Sequence, residues 1–147
     1  MRRFVLLTAL LLAGPSFDAQ AVATSYEIEG DAIAEPLTGH EGDAERGAAL
    51  VADRTLSLCV LCHSGLVAPV HMQGNLAPSL AGIGGRLTPG QIRLRVVDMK
   101  RLNPDSLMPV YGGVAPGARV AGPWQGKAIL TADEIEDIVA YLVSLKG

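Results

Sequence analysis

Two thiols and an imidazole fall within the five residues Cys59-Val60-Leu61-Cys62-His63, and these are the only cysteines in the chain. No other stretch limits the fold as strongly. Cysteines three positions apart lie one helical turn from each other and share a face. A pair so placed can add to the two vinyl groups of a haem and leave two thioether bonds. The histidine that follows directly then offers a ring nitrogen to the iron.

Two plainer uses of a C-x-x-C pair compete with this. A zinc site needs two further ligands, and only His40 and His71 remain as histidines. A thioredoxin-like redox disulfide sits at a strand-to-helix junction, and no β-branched run precedes Cys59. The reading is therefore one covalently bound haem c, held by Cys59 and Cys62, with His63 as the proximal iron ligand.

The start of the chain agrees with that chemistry. Arg2 and Arg3 make a short basic region, and Phe4 to Ala13 is apolar except for Thr8. Ala19-Gln20-Ala21 and Ala21-Val22-Ala23 offer small-x-small cleavage sites. Residues 1–23 are expected to be a secretory signal peptide. The apolar run is shorter than the roughly 20 residues that span a bilayer, and the arginine pair alone is a weak twin-arginine signal. Haem joins such thiols outside the cytoplasm, so the expected location is a bacterial periplasm, with no membrane span left after cleavage. An exported chain with a formal charge of −3 is also a poor binder of nucleic acid.

Cleavage would leave about 124 residues, enough for one domain with a modest core. An aromatic content of 4% suits a centre filled by porphyrin. Residues 24–42 read as an acidic extended arm. The arm carries Glu27, Glu29, Asp31, Glu35 and Glu41 against no lysine or arginine, which favours a solvated leader over a segment lying along a partner. Residues 43–147 are the expected haem domain.

Three helices are legible in it. Asp43 caps the first, which is expected to reach about Leu56, with Gly47 as a close-crossing point. Thr88-Pro89-Gly90-Gln91 opens another, with Ile92, Val96 and Met99 on one face and Asn103-Pro104 as the stop. Thr131 and Glu134 form a capping box for the last, whose stripe is Ile135, Ile138, Val139, Leu142 and Leu145. Ile138 and Tyr141 are expected to pack across Gly47 and Val51. Glycine- and proline-rich loops join the helices at Leu76–Gly85 and Tyr111–Gly126, and no strand is evident.

For the sixth iron position the candidates are Met72, Met99, Met108, His40, His71, Lys100 and Lys127. Met72 and His71 follow His63 closely and leave a short path around a porphyrin edge. Met99 falls on an apolar helix stripe. Met108 lies in a loop before Pro109 and is the favoured axial ligand, with His71 or an open site as alternatives. Pro78, in Ala77-Pro78-Ser79-Leu80, marks a loop whose backbone carbonyl can fix the second ring nitrogen of His63. Arg86, Arg93, Arg95, Lys100 and Arg101 form a basic stretch that reads as a solvated helix face, or as a patch that steers an acidic partner or thiosulfate. Trp124 fills the core or, with Arg119, touches the haem edge.

Gly47, the Cys59–His63 motif, Pro78 with Leu80, Met108-Pro109 and Tyr141 together resemble the class I cytochrome c family. Within it, the stretches Ala77–Gly82, Arg93–Asp98, Asn103–Pro109, Gly126–Ala132 and Glu134–Leu142 are similar to the SoxX family of small monohaem subunits. The resemblance implies an all-α fold with three or more helices packed around a covalently attached haem. It implies that Cys59 and Cys62 hold the haem while His63 and Met108 ligate the iron.

The same resemblance implies a SoxA-type cytochrome as heterodimer partner. Such complexes couple thiosulfate oxidatively to a cysteine of the carrier SoxYZ and release two electrons to a soluble cytochrome. With no spare cysteine, this chain is expected to be a non-catalytic haem subunit of that L-cysteine S-thiosulfotransferase, relaying electrons. The alternative is a free, diffusible periplasmic electron carrier.

Overall fold

In the computed structural model, residues 26–67, 72–114, 120, 122 and 125–147 are described. The expected signal peptide, His71, Arg119 and Trp124 lie outside them. The helices are α1 (Ala44–Ala52), α2 (Cys59–Cys62), α3 (Ile83–Arg86), α4 (Pro89–Asp98) and α5 (Ala132–Ser144). No strand occurs among the described residues, only a lone bridge between Glu29 and Ala32.

Local chemistry accounts for the helix ends. At α5, the Thr131 hydroxyl accepts from the Glu134 amide at 3.2 Å, and the Glu134 carboxylate accepts from the Thr131 amide at 2.8 Å. This exchange satisfies two amides that the first turn would leave free. Thr88 and Gln91 cap α4 in the same reciprocal way, with Pro89 in the first position. α4 then tightens into a single 3₁₀ turn, Met99–Arg101. α1 ends at Ala52 rather than near Leu56. The Asp53 side chain takes the amides of Thr55 and Leu56 at 2.7 and 3.0 Å, which turns the chain instead of continuing the helix. α3 is a short helix inside a segment expected to be loop.

α1 and α5 cross at Gly47. A Cβ there would lie 1.9 Å from the Asp137 carbonyl oxygen and 2.9 Å from the Tyr141 Cβ. Only glycine lets the two backbones come this close. Asp137 locks the crossing from the α5 side. Its carboxylate accepts from Arg46 Nε and Nη2 at 2.7 and 2.8 Å and from the Asp43 amide at 2.6 Å. α3 meets the other end of α5 at Gly84, where a Cβ would lie 2.1 Å from the Val143 carbonyl oxygen. Val51, Ile135, Ile138, Val139 and Leu142 fill the space between, each buried. Every such side chain contributes roughly 1.5–3 kcal/mol.

α4 is buried nearly all round, on Ile92, Leu94, Val96 and Val97, rather than along one stripe. Its Arg93 is the least expected member. Nε and Nη2 donate to the Glu136 carboxylate at 2.7 and 2.9 Å, and Nη1 donates to the carbonyls of Ile33 and Ala34 at 2.8 and 3.1 Å. The basic stretch is therefore not one solvated face.

The described part of the arm, residues 26–42, is anchored at a few points on α4 and α5, while Glu27, Glu29, Glu35 and Glu41 remain exposed. Ile33 is buried in the core, and its amide donates to the Gly90 carbonyl at 3.1 Å. Leu37 donates to Glu136 at 2.9 Å. Asp31 pairs with Arg95 at 3.2 Å and accepts from Gln91, and these bonds, Gln91's first, hold its carboxyl below the usual range. Acidic composition suggested solvent, but the arm's carbonyls and one apolar side chain find partners on α4 and α5. Among the described residues, no helix is long and apolar enough to cross a membrane.

Candidate haem-attachment site

Cys59 and Cys62 bound α2, a single helical turn that puts both sulfurs on one face. The turn is entered through Leu58, whose φ of 61° is left-handed. A leucine there costs on the order of 1–2 kcal/mol, so surrounding bonds must hold it. The Leu58 amide donates to the Asp53 carbonyl at 3.2 Å, and the buried Ser57 hydroxyl donates to the Leu50 carbonyl at 2.6 Å. The buried Tyr111 hydroxyl donates to the Ser57 carbonyl. Burial raises the Tyr111 hydroxyl pKa well above its ordinary value, so it stays a donor. Burial likewise pushes the Cys59 thiol up.

His63 caps the C-terminus of α2 in extended conformation. Its Nδ1 lies 2.7 Å from the Pro78 carbonyl oxygen. A carbonyl only accepts, so Nδ1 carries the proton and the lone pair stands on Nε2, ready for a metal. The loop that brings Pro78 is itself stitched to α2. Gly74 donates to the Val60 carbonyl at 2.8 Å, Ala77 to that of Cys62 at 3.0 Å, and Leu80 to that of Ser64 at 2.9 Å. The first two satisfy carbonyls that so short a helix leaves free. Beyond His63, the Tyr141 hydroxyl of α5 donates to the Leu66 carbonyl. Two tyrosine hydroxyls thus grip the chain on either side of the motif.

Met108 is half-buried and packed against the core. Its amide donates to the Ser106 hydroxyl at 3.2 Å, and the Lys100 ammonium donates to the Ser106 carbonyl. Lys100 therefore braces this loop. Met72 is mostly exposed, Met99 lies in the 3₁₀ turn, and His40 is exposed.

These residues fit a haem by the chemistry of their donors: two thiols on one turn, an imidazole with Nε2 free, and a soft thioether. The loops that carry them also present apolar surface. Leu76 is 73% and Leu107 84% exposed, the kind of surface an apolar macrocycle covers.

Comparison with protein families matches residues 44–146 to Cytochrome c. The chain belongs to the cytochrome c family. Membership implies covalently bound haem c and an electron-transfer role, on the all-α class I fold seen here. Among solved structures, a chain of the crystal structure of SoxXA from P. pantotrophus is similar at 35% identity and a TM-score of 0.74, over 83% of this chain and 95% of that one. This cytochrome is accordingly of the SoxX type. None of the curated proteins compared with the chain matches it.

Sequence reasoning missed the roles of Tyr111, Tyr141 and Leu58 around the motif. Tyr141 carries a signal, since it stands on the border of the α5 stripe. Tyr111 and Leu58 carry none, because a hydroxyl aimed at a distant carbonyl has no local pattern.

Proposed function

We propose that this cytochrome is the electron-relay subunit of a SoxAX-type complex, with a SoxA-type partner, a SoxYZ carrier as the site of thiosulfate coupling, and a soluble cytochrome as acceptor. The observation that carries this reading is the match to a chain of SoxXA along nearly that chain's whole length. The cysteine count supports the relay role: both thiols are taken by the haem motif, leaving none to accept thiosulfate.

Haem, when bound, supplies a one-electron couple. Cys59 and Cys62 would anchor it, and the Pro78 carbonyl holds His63 by Nδ1, leaving Nε2 to bind the iron. Met108 would offer its thioether to the iron, a soft sulfur that raises the potential, and would keep small ligands out. One C-x-x-C-H motif means one haem. Residues 1–23 act as the export signal, residues 24–42 as the arm, and residues 43–147 as the haem domain, in the periplasm.

Gentle purification of the tagged chain from its native periplasm, with mass spectrometry of what accompanies it, tests the reading. A stoichiometric second cytochrome is the expected result. A lone haem-bearing monomer would overturn it in favour of a diffusible carrier.

A further inference from the structure

The hydroxyl of Tyr111 and the sulfur of Met108 stand on one short, stiff piece of chain. Only Pro109 and Val110 separate the two residues, and proline fixes one of the intervening φ angles. Tyr111 is pinned at both backbone ends. Its amide donates to the Val97 carbonyl at 3.1 Å, and its carbonyl accepts from the Leu130 amide at 3.2 Å. Its side chain is 3% exposed and reaches Ser57, two residues before Cys59. Ser57 is tied to α1 through Leu50, and Leu58, between Ser57 and Cys59, is held in the left-handed region. One phenol thus bridges the loop of the sixth ligand and the turn that presents the first thiol.

We propose that Tyr111 is a positioning residue that couples the Met108 loop to the Cys59 turn, so that methionine ligation and the seating of the attachment turn are energetically linked. This rests on Met108 being the axial ligand. The strut works in both directions. Loss of the hydroxyl leaves the Ser57 carbonyl short of a partner inside the fold and frees the Met108 loop to move away from the iron. A buried hydrogen bond of this kind contributes about 1 kcal/mol, which corresponds to roughly a five- to tenfold change in an equilibrium constant. Coupling is reciprocal, so displacing Met108 must loosen the turn around Leu58.

The experiment uses the ferric holoprotein, the weak red absorption band of thioether-ligated ferric haem, and imidazole as the competing ligand. In Tyr111→Phe, imidazole should displace the methionine with about five- to tenfold tighter apparent affinity. Thr88→Ala, which removes the cap at the far end of α4 and is of similar worth, should leave the imidazole affinity unchanged. In the wild type, saturating imidazole should speed hydrogen exchange at the Leu58 amide. Equal imidazole affinities for wild type and Tyr111→Phe would overturn the proposal. So would an equal gain in Thr88→Ala, because the effect would then be general loss of stability. A wild type without the red band would remove Met108 as ligand, and this proposal with it.

Discussion

Arg93 and Glu136 meet as a buried, two-bond ion pair between α4 and α5, and each partner also holds the arm. Arg93 takes the carbonyls of Ile33 and Ala34, and Glu136 takes the amide of Leu37. Removing one charge strands the other in the core. Arg93→Ala should destabilise the protein by about 3–5 kcal/mol, read by urea denaturation. The same variant should expose residues 26–42 to limited proteolysis under conditions where the wild type resists. An intact arm in Arg93→Ala would show that Ile33 burial alone holds it down.

Gly47→Ala asks two helix backbones to separate. The added methyl would meet the Asp137 carbonyl at 1.9 Å, with no flexible side chain to yield. A loss of about 3 kcal/mol is expected, at the upper end for overpacking. The measurement is the urea midpoint at unchanged slope.

Asp137 should set part of the acid sensitivity. Chiefly the Arg46 guanidinium, joined by the Asp43 amide, holds its carboxyl below the usual range against the opposing effect of burial. A carboxyl depressed in the folded state stabilises above its unfolded value, and that stability disappears as pH falls through the folded value. The difference in stability between wild type and Asp137→Asn should therefore be full near neutrality and shrink as pH falls below the ordinary carboxylate range. Urea titrations at stepped pH would show it, and a pH-independent difference would contradict it.

With Met108 as the proposed axial ligand, Met108→Ala should open the sixth position. Carbon monoxide should bind the ferrous protein readily, and the reduction potential should fall by a fraction of the roughly 0.8 V range that axial ligands command. Redox titration and ferrous difference spectra give the readings. Against this, Cys59→Ser with Cys62→Ser should abolish haem retention after denaturation without changing the identity of the iron ligands.

What the sequence made readable was whatever has a local pattern. Thr131 with Glu134 and Thr88 with Gln91 sit three residues apart, and both boxes formed as written. Gly47 could be read as a crossing because a glycine inside a helix needs a reason. The end of α1 was misplaced because Asp53 competes with the helix through its side chain, a choice of a single rotamer. Arg93 looked solvated because charge on a helix usually is, and its partner lies on α5, far along the chain. The anchoring of the arm was hidden for the same cause: Ile33, Asp31 and the carbonyls that Arg93 holds find their partners far along the chain, which composition does not record. In the site, the C-x-x-C-H spacing was plain, whereas the grips of Tyr111 and Tyr141 depend on folds of the intervening chain.

The crossing of α1 over α5 also fixes when this chain can fold. The helix that closes the domain is made well after its partner. Until the residues after Thr131 emerge, α1 has nothing to cross and Arg46 has no Asp137 to hold. Contacts between distant ends form slowly and leave the growing polypeptide open. α5 is thus a timing device: α1 waits for it, and the crossing cannot close until the residues after Thr131 are present.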